Sequence, residues 1–176
     1  MRKKVIIIGE AGVNHNGSIE LAKRLIDVAA EAGVDYIKFQ TFKTQNLVQK
    51  TAEKASYQIK NTGDKDSQYL MLKKLELSED NHHILINYCK VRGVKFLSTA
   101  FDFDSIKLLK NKLDFYKIPS GEITNLRYLT KIAQLKLPVV MSTGMSTMEE
   151  VKAAYEALIS NGVHTQDITI LHCNTE

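Results

Sequence analysis

Six short runs rich in β-branched and aromatic residues occur at Val5 to Ile8, Tyr36 to Phe39, Val94 to Leu97, Phe115 to Ile118, Val139 to Met141 and Ile168 to Leu171, and stretches with helical apolar spacing separate them. A strand that meets the next strand only after a helix has to cross over, so the alternation predicts parallel strands. Helix boundaries are marked by residue type. The first helix is expected from Ile19 to about Ala32, with Leu21, Leu25, Ile26 and Ala29 on one face, Ser18 or Asn16 as cap and Gly33 as the stop. Gly93 and Gly162 end later helices. A capping box Ser146-Thr147-Met148-Glu149 opens the helix that Gly162 ends, and Ser78 and Thr124 are candidate caps for two others.

Two architectures accommodate this rhythm, a closed (β/α)8 barrel of TIM type and an open doubly wound sheet. The polar residues favour the barrel. An open sheet concentrates function at one switch point, whereas here Glu10, Gln40, Thr99, Ser120, Ser142 and His172 follow nearly every strand. The fold class expected is therefore α/β, a (β/α)8 barrel of which this chain holds about the first six strands. With 176 residues and 44% hydrophobic content, one domain over 1–176 is expected. The connection from Phe42 to Leu77 is too long for an ordinary βα loop and is a candidate binding excursion.

Charge excludes some partners. The 24 basic and 20 acidic residues are spread along the chain without a basic block, so no nucleic acid is expected. Met1-Arg2-Lys3-Lys4 ahead of Val5 mimics a secretory signal, but the apolar run is too short and Glu10 ends it. No stretch approaches the roughly 20 apolar residues of a membrane span. Cys89 and Cys173 suggest neither a disulfide framework nor a zinc site. A cytoplasmic protein without a membrane partner is expected.

Strand alternation selects the chemistry. Tyr36, Lys38 and Gln40 share one face, with Ile37 and Phe39 on the other, and the same period sets Lys117 against Tyr116 and Ile118. Two lysines then face the interior of a parallel sheet, where an unmatched charge costs several kcal/mol. Glu10 or Glu122 could meet one of them. The pair, with hydroxyls at Thr99, Ser120 and Ser142 and backbone N–H groups near Gly121 and Gly144, points to an anionic ligand. The glycine-rich segment Gly9 to Ser18 is no P-loop, because Ser18 stands where the lysine is required; a turn presenting Glu10 and Asn14 fits better. His82-His83 reads as a solvated helical pair, His164 as a loop residue, and His15 and His172 as isolated strand-end residues. They make no metal site.

These motifs occur together in one family. Glu10-Ala11-Gly12-Val13-Asn14-His15-Asn16-Gly17-Ser18, Lys38-Phe39-Gln40-Thr41-Phe42, Phe96-Leu97-Ser98-Thr99, Lys117-Ile118-Pro119-Ser120-Gly121-Glu122, Ser142-Thr143-Gly144-Met145 and His172-Cys173-Asn174-Thr175-Glu176 resemble the sialic acid synthases, including the legionaminic acid branch. The resemblance implies condensation of phosphoenolpyruvate with N-acetylmannosamine or a related 2-acetamido sugar. It implies that Lys38, Thr99, Lys117, Ser120 and Ser142 hold phosphoenolpyruvate, that Gln40 and Glu122 hold the sugar, and that Glu10 is catalytic. A divalent metal, Mn or Mg, is implied for the full-length enzyme, with ligands on strands beyond Glu176. So are a homodimer and a small C-terminal antifreeze-protein-like domain, absent here, which would leave this chain inactive alone. Two rivals stay open: a Schiff-base aldolase using Lys38 or Lys117 on the same barrel, and an inactive binding or folding fragment.

Overall fold

Strand and helix alternate through the computed structural model, which describes residues 5–50 and 67–174. Strand β1 (Ile8–Gly12) leads to α1 (Ile19–Glu31), then β2 (Tyr36–Thr41), a single turn α2 (Thr44–Leu47), α3 (Gln68–Leu75), α4 (Glu79–Arg92) and β3 (Lys95–Ala100). The second half runs α5 (Phe103–Leu109), β4 (Tyr116–Ile118), α6 (Leu126–Ala133), β5 (Val139–Ser142), α7 (Met148–Ser160) and β6 (Ile168–Leu171). The strand order is β1-β2-β3 in one sheet and β4-β5-β6 in the other, and the β1/β2, β4/β5 and β5/β6 pairs are parallel. The chain condenses into two compact units, Met1–Phe96 and Leu97–Glu176.

In the first unit Ser18 accepts from the Leu21 N–H to cap α1, and Gly33 at φ 72° takes the left-handed turn that ends it. The buried face is Ala22, Ile26 and Ala29: Ile26 and Ala29 belong to the expected stripe, whereas Ala22 joins it and Leu21 is exposed. Alanines on that face let the helix lie close, against a core that holds Ile37, Phe39 and Leu85 at 2% exposure or less. The first strand also differs from expectation. Val5, Ile6 and Ile7 are exposed, and the strand begins at Ile8, where pairing with Tyr36 starts. Within the Phe42–Leu77 connection the described residues form α2 and α3, and residues 51–66 lie outside the described part.

The second unit buries Tyr116 and Ile118 of β4, Leu129 and Ile132 of α6, Met141 of β5 and Leu158 of α7. Each large aliphatic side chain taken from water contributes roughly 1.5–3 kcal/mol before entropy is counted. The caps of α6 and α7 sit one residue later than expected. Asn125 replaces Thr124, and the capping box is Thr147 with Glu150 instead of Ser146 with Glu149. Ser146 is drawn into the preceding turn by its N–H bond to Thr143 O (3.1 Å), which leaves Thr147 the first extended residue before the helix.

Candidate active site

The first unit assembles a carboxylate, an ammonium and an amide. Residues Glu10 and Lys38 are direct register partners across parallel β1 and β2, so their side chains leave the sheet on one face, and they form an ion pair. The Lys38 side chain is 13% exposed and that of Glu10 is 50% exposed, which leaves the carboxylate accessible to a bound molecule. Register then shifts, with Gly12 opposite Phe39 and Ala11 bulged out. At Gly12 a Cβ would lie 3.2 Å from Glu10 Oε1 and 3.8 Å from Gln40 Nε2, and its φ of 53° is left-handed. Glycine here lets Glu10 and Gln40 converge.

In the second unit Lys117 is 9% exposed and its Nζ donates to Ile118 O (2.8 Å) and to Ser142 Oγ (2.5 Å), across the ends of adjacent β4 and β5. Thr143, the next residue, donates its hydroxyl to Leu171 O (2.7 Å), tying the loop after β5 to β6. The Cys173 sulfur samples this corner. Its thiol is held below its ordinary pKa first by the hydrogen bond with Ser142; burial opposes this, and the Thr143 and Gly144 N–H groups and the charge of Lys117 add to the lowering. Groups that stabilise a thiolate also suit other anions. The second unit also holds the remaining expected residues: Thr99 is buried inside β3 at 2% exposure, Ser120 opens the 3-10 turn Ser120–Glu122, and Glu122 Oε2 accepts from Asn125 Nδ2 (2.7 Å).

The histidines divide unlike the sequence reading. His83 is exposed, but His82 is 1% exposed, with Nε2 2.8 Å from Thr41 Oγ1 and Nδ1 2.7 Å from Ser78 O. Helix spacing could have shown this: His82 lies three and seven residues before the buried Leu85 and Cys89, on their face. Cys173 carries no site role in the sequence analysis, and its place two residues after β6 is the signal that points to one. Among the described residues no group of three or more His, Cys, Asp or Glu side chains is placed to hold a metal, and no helix is long and apolar enough to cross a membrane.

The model of the NeuB family matches residues 25–176. The chain belongs to the NeuB family. It is 50% identical to the N,N'-diacetyllegionaminic acid synthase of Campylobacter jejuni over 99% of its own length and 52% of that protein's. Identity with the synthase of the same name from Legionella pneumophila is 47%, over 96% of this chain and 48% of that one. The chain thus spans about half the length of the curated relatives it matches. Among solved structures, the N-acetylneuraminic acid synthetase of Leptospira borgpetersenii, in complex with citrate, superposes with a TM-score of 0.81 at 27% identity, over 99% of this chain and 55% of that one. The fold class is accordingly the α/β TIM-type barrel, represented by its first six strands.

Proposed function

We propose that the whole protein is a nonulosonic acid synthase that condenses phosphoenolpyruvate with N-acetylmannosamine or a related 2-acetamido sugar. The observation that carries this reading is the corner of Lys117, Ser142 and the Thr143 and Gly144 N–H groups, which lowers a thiol pKa and so suits phosphate or carboxylate oxygens. The kinship with legionaminic acid synthases supports the reaction class. In the proposed step C3 of phosphoenolpyruvate bonds to the aldehyde carbon of the open-chain sugar, whose oxygen becomes a hydroxyl. Water adds at C2, and phosphate leaves with cleavage of its C–O bond.

Lys117 and Ser142 bind anionic oxygens in this scheme, and Lys38, Thr99 and Ser120 are assigned to the same substrate. Gln40 and Glu122 are assigned to the sugar. Glu10, half-exposed and oriented by Lys38, moves the proton. The divalent ion that the reading carries, Mn or Mg, is placed outside the described residues, which do not make its site, and no step here depends on it. The reading also carries a cytoplasmic homodimer.

The test is phosphate release by the purified full-length protein, supplied with phosphoenolpyruvate and either N-acetylmannosamine or a diacetamido sugar. Release that requires both substrates is expected, and Lys117→Met should lower kcat/KM for phosphoenolpyruvate by about a hundredfold or more. Borohydride trapping of a sugar or pyruvate adduct on Lys38 or Lys117, without phosphate release, would replace the synthase by the Schiff-base aldolase.

A further inference from the structure

Behind the Glu10–Lys38 pair the first unit carries two buried imidazoles to which the proposed chemistry gives no role. His15 is fully buried, with its ring centroid 6.2 Å from Phe39, and His82 sits edge-on to Phe96 at 6.4 Å. Phe39 and Phe96 stack at 5.7 Å between them. Phe39 is the β2 residue that separates Lys38 from Gln40. The four rings thus back the strand segment that presents both proposed substrate contacts.

The protons on both rings are dictated by their partners. Nδ1 of His15 accepts from the Gly17 N–H (3.0 Å), so it carries no proton, and the ring's single proton belongs on Nε2, which has no hydrogen-bond partner among the described residues. Ser78 O can only accept, so His82 Nδ1 carries a proton, and its Nε2 is paired with the Thr41 hydroxyl. Each ring therefore ties down one piece of the site. His15 closes the turn after β1, where Gly17 at φ 79° has a would-be Cβ 2.2 Å from Lys74 O of α3. His82 fastens the end of β2 through Thr41 to the cap of α4.

We infer that His15 and His82 are positioning residues for the proposed reaction: a buried imidazole pair that holds the β1 turn and the β2 end so that Glu10, Lys38 and Gln40 keep their arrangement around Gly12. A second proton on His15 would confront the Gly17 N–H and break that bond, so the arrangement is lost in acid. Burial, and then the repulsion of His82, push the His15 pKa below its ordinary 6.5. Around His15, α4 presents His82, β2 the uncharged ring of Phe39, and α3 the backbone carbonyl of Lys74 against the turn; on the turn's own side Glu20 is bonded to Ser18 Oγ (3.1 Å). His82 is the one titratable group that acts on it electrostatically among the described residues.

The assay rests on the proposed synthase reading and uses the full-length enzyme. His15→Asn keeps an acceptor where Nδ1 stands but cannot be protonated; it should weaken or abolish the fall in kcat/KM that is expected of the parent enzyme below about pH 6.5. His15→Leu keeps the volume and loses the acceptor, and should lower kcat/KM about tenfold at neutral pH, equivalent to 1.4 kcal/mol. An acid limb unchanged in His15→Asn, or parental kcat/KM in His15→Leu, would overturn the inference. Nitrogen-15 shifts of the imidazoles test it without any turnover. A neutral His15 with its proton on Nε2 at about pH 7 is expected, and a proton on Nδ1 would sink the proposal even if the enzyme makes no nonulosonic acid.

Discussion

Lys38 and Tyr116 show the two fates of a polar atom brought into this fold. Strand alternation put Lys38 inside, and its ammonium is met by the register partner Glu10. On β4 the alternate face carries Tyr116, 1% exposed, whose hydroxyl has no hydrogen-bond partner among the described residues and whose pKa burial pushes up to about 12. An unsatisfied buried hydroxyl costs roughly 1–3 kcal/mol, so removing it with the ring retained relieves a penalty. Tyr116→Phe should leave the urea midpoint unchanged or raise it; a clear drop would mean that the hydroxyl is bonded. Neighbouring Tyr128 donates to Ala100 O at 2.6 Å, so Tyr128→Phe should cost stability in the same experiment. The lysines were legible because a period of two needs only the local chain. The orphaned hydroxyl was not, because satisfaction depends on what packs against it.

At the level of elements, the turns decide more than the helices. Gly17 and Gly33 both take left-handed φ, at 79° and 72°, but they differ in surroundings. A Cβ at Gly33 meets nothing within 4 Å, whereas one at Gly17 would strike Lys74 O. Gly33→Ala should therefore cost about 1 kcal/mol of backbone strain alone. Gly17→Ala should cost clearly more, because backbone must move as well, and chemical denaturation of the two variants measures the difference. The helix caps teach a related point. Ser146 and Thr147 precede Glu149 and Glu150, so the chain offers two capping boxes one residue apart. The bond from the Ser146 N–H to Thr143 O selects the second. The same kind of turn, Asn125 N–H to Glu122 O (3.0 Å), moves the cap of α6 from Thr124 to Asn125.

For the molecule as a whole, acid should act first on the first unit. Glu76, 11% exposed at the side chain, is pushed up by burial, but the Thr44 N–H, Lys73, the Thr44 hydroxyl and Lys43 outweigh this and hold its pKa at about 2, against an ordinary 4.5. A carboxyl whose pKa is lower in the folded state stabilises above its unfolded value and loses that contribution as pH falls. The window is 4.5 down to about 2. Thermal melts across it should show a steeper loss of stability for the parent than for Glu76→Gln, which starts lower and should change less; parallel curves would deny the role. From the sequence alone came the order of strands and helices, the α/β class and the residues at the strand ends, because periodicity, caps and glycine stops are local properties of the chain. Only the tertiary structure decided that Val5 to Ile7 stay outside the first strand, that Glu10 pairs with Lys38, that Cys173 joins Ser142, and that His82 is buried in the same cluster of rings as His15. Register, burial and the partner of a polar atom are set by segments distant in sequence, and no local pattern encodes them.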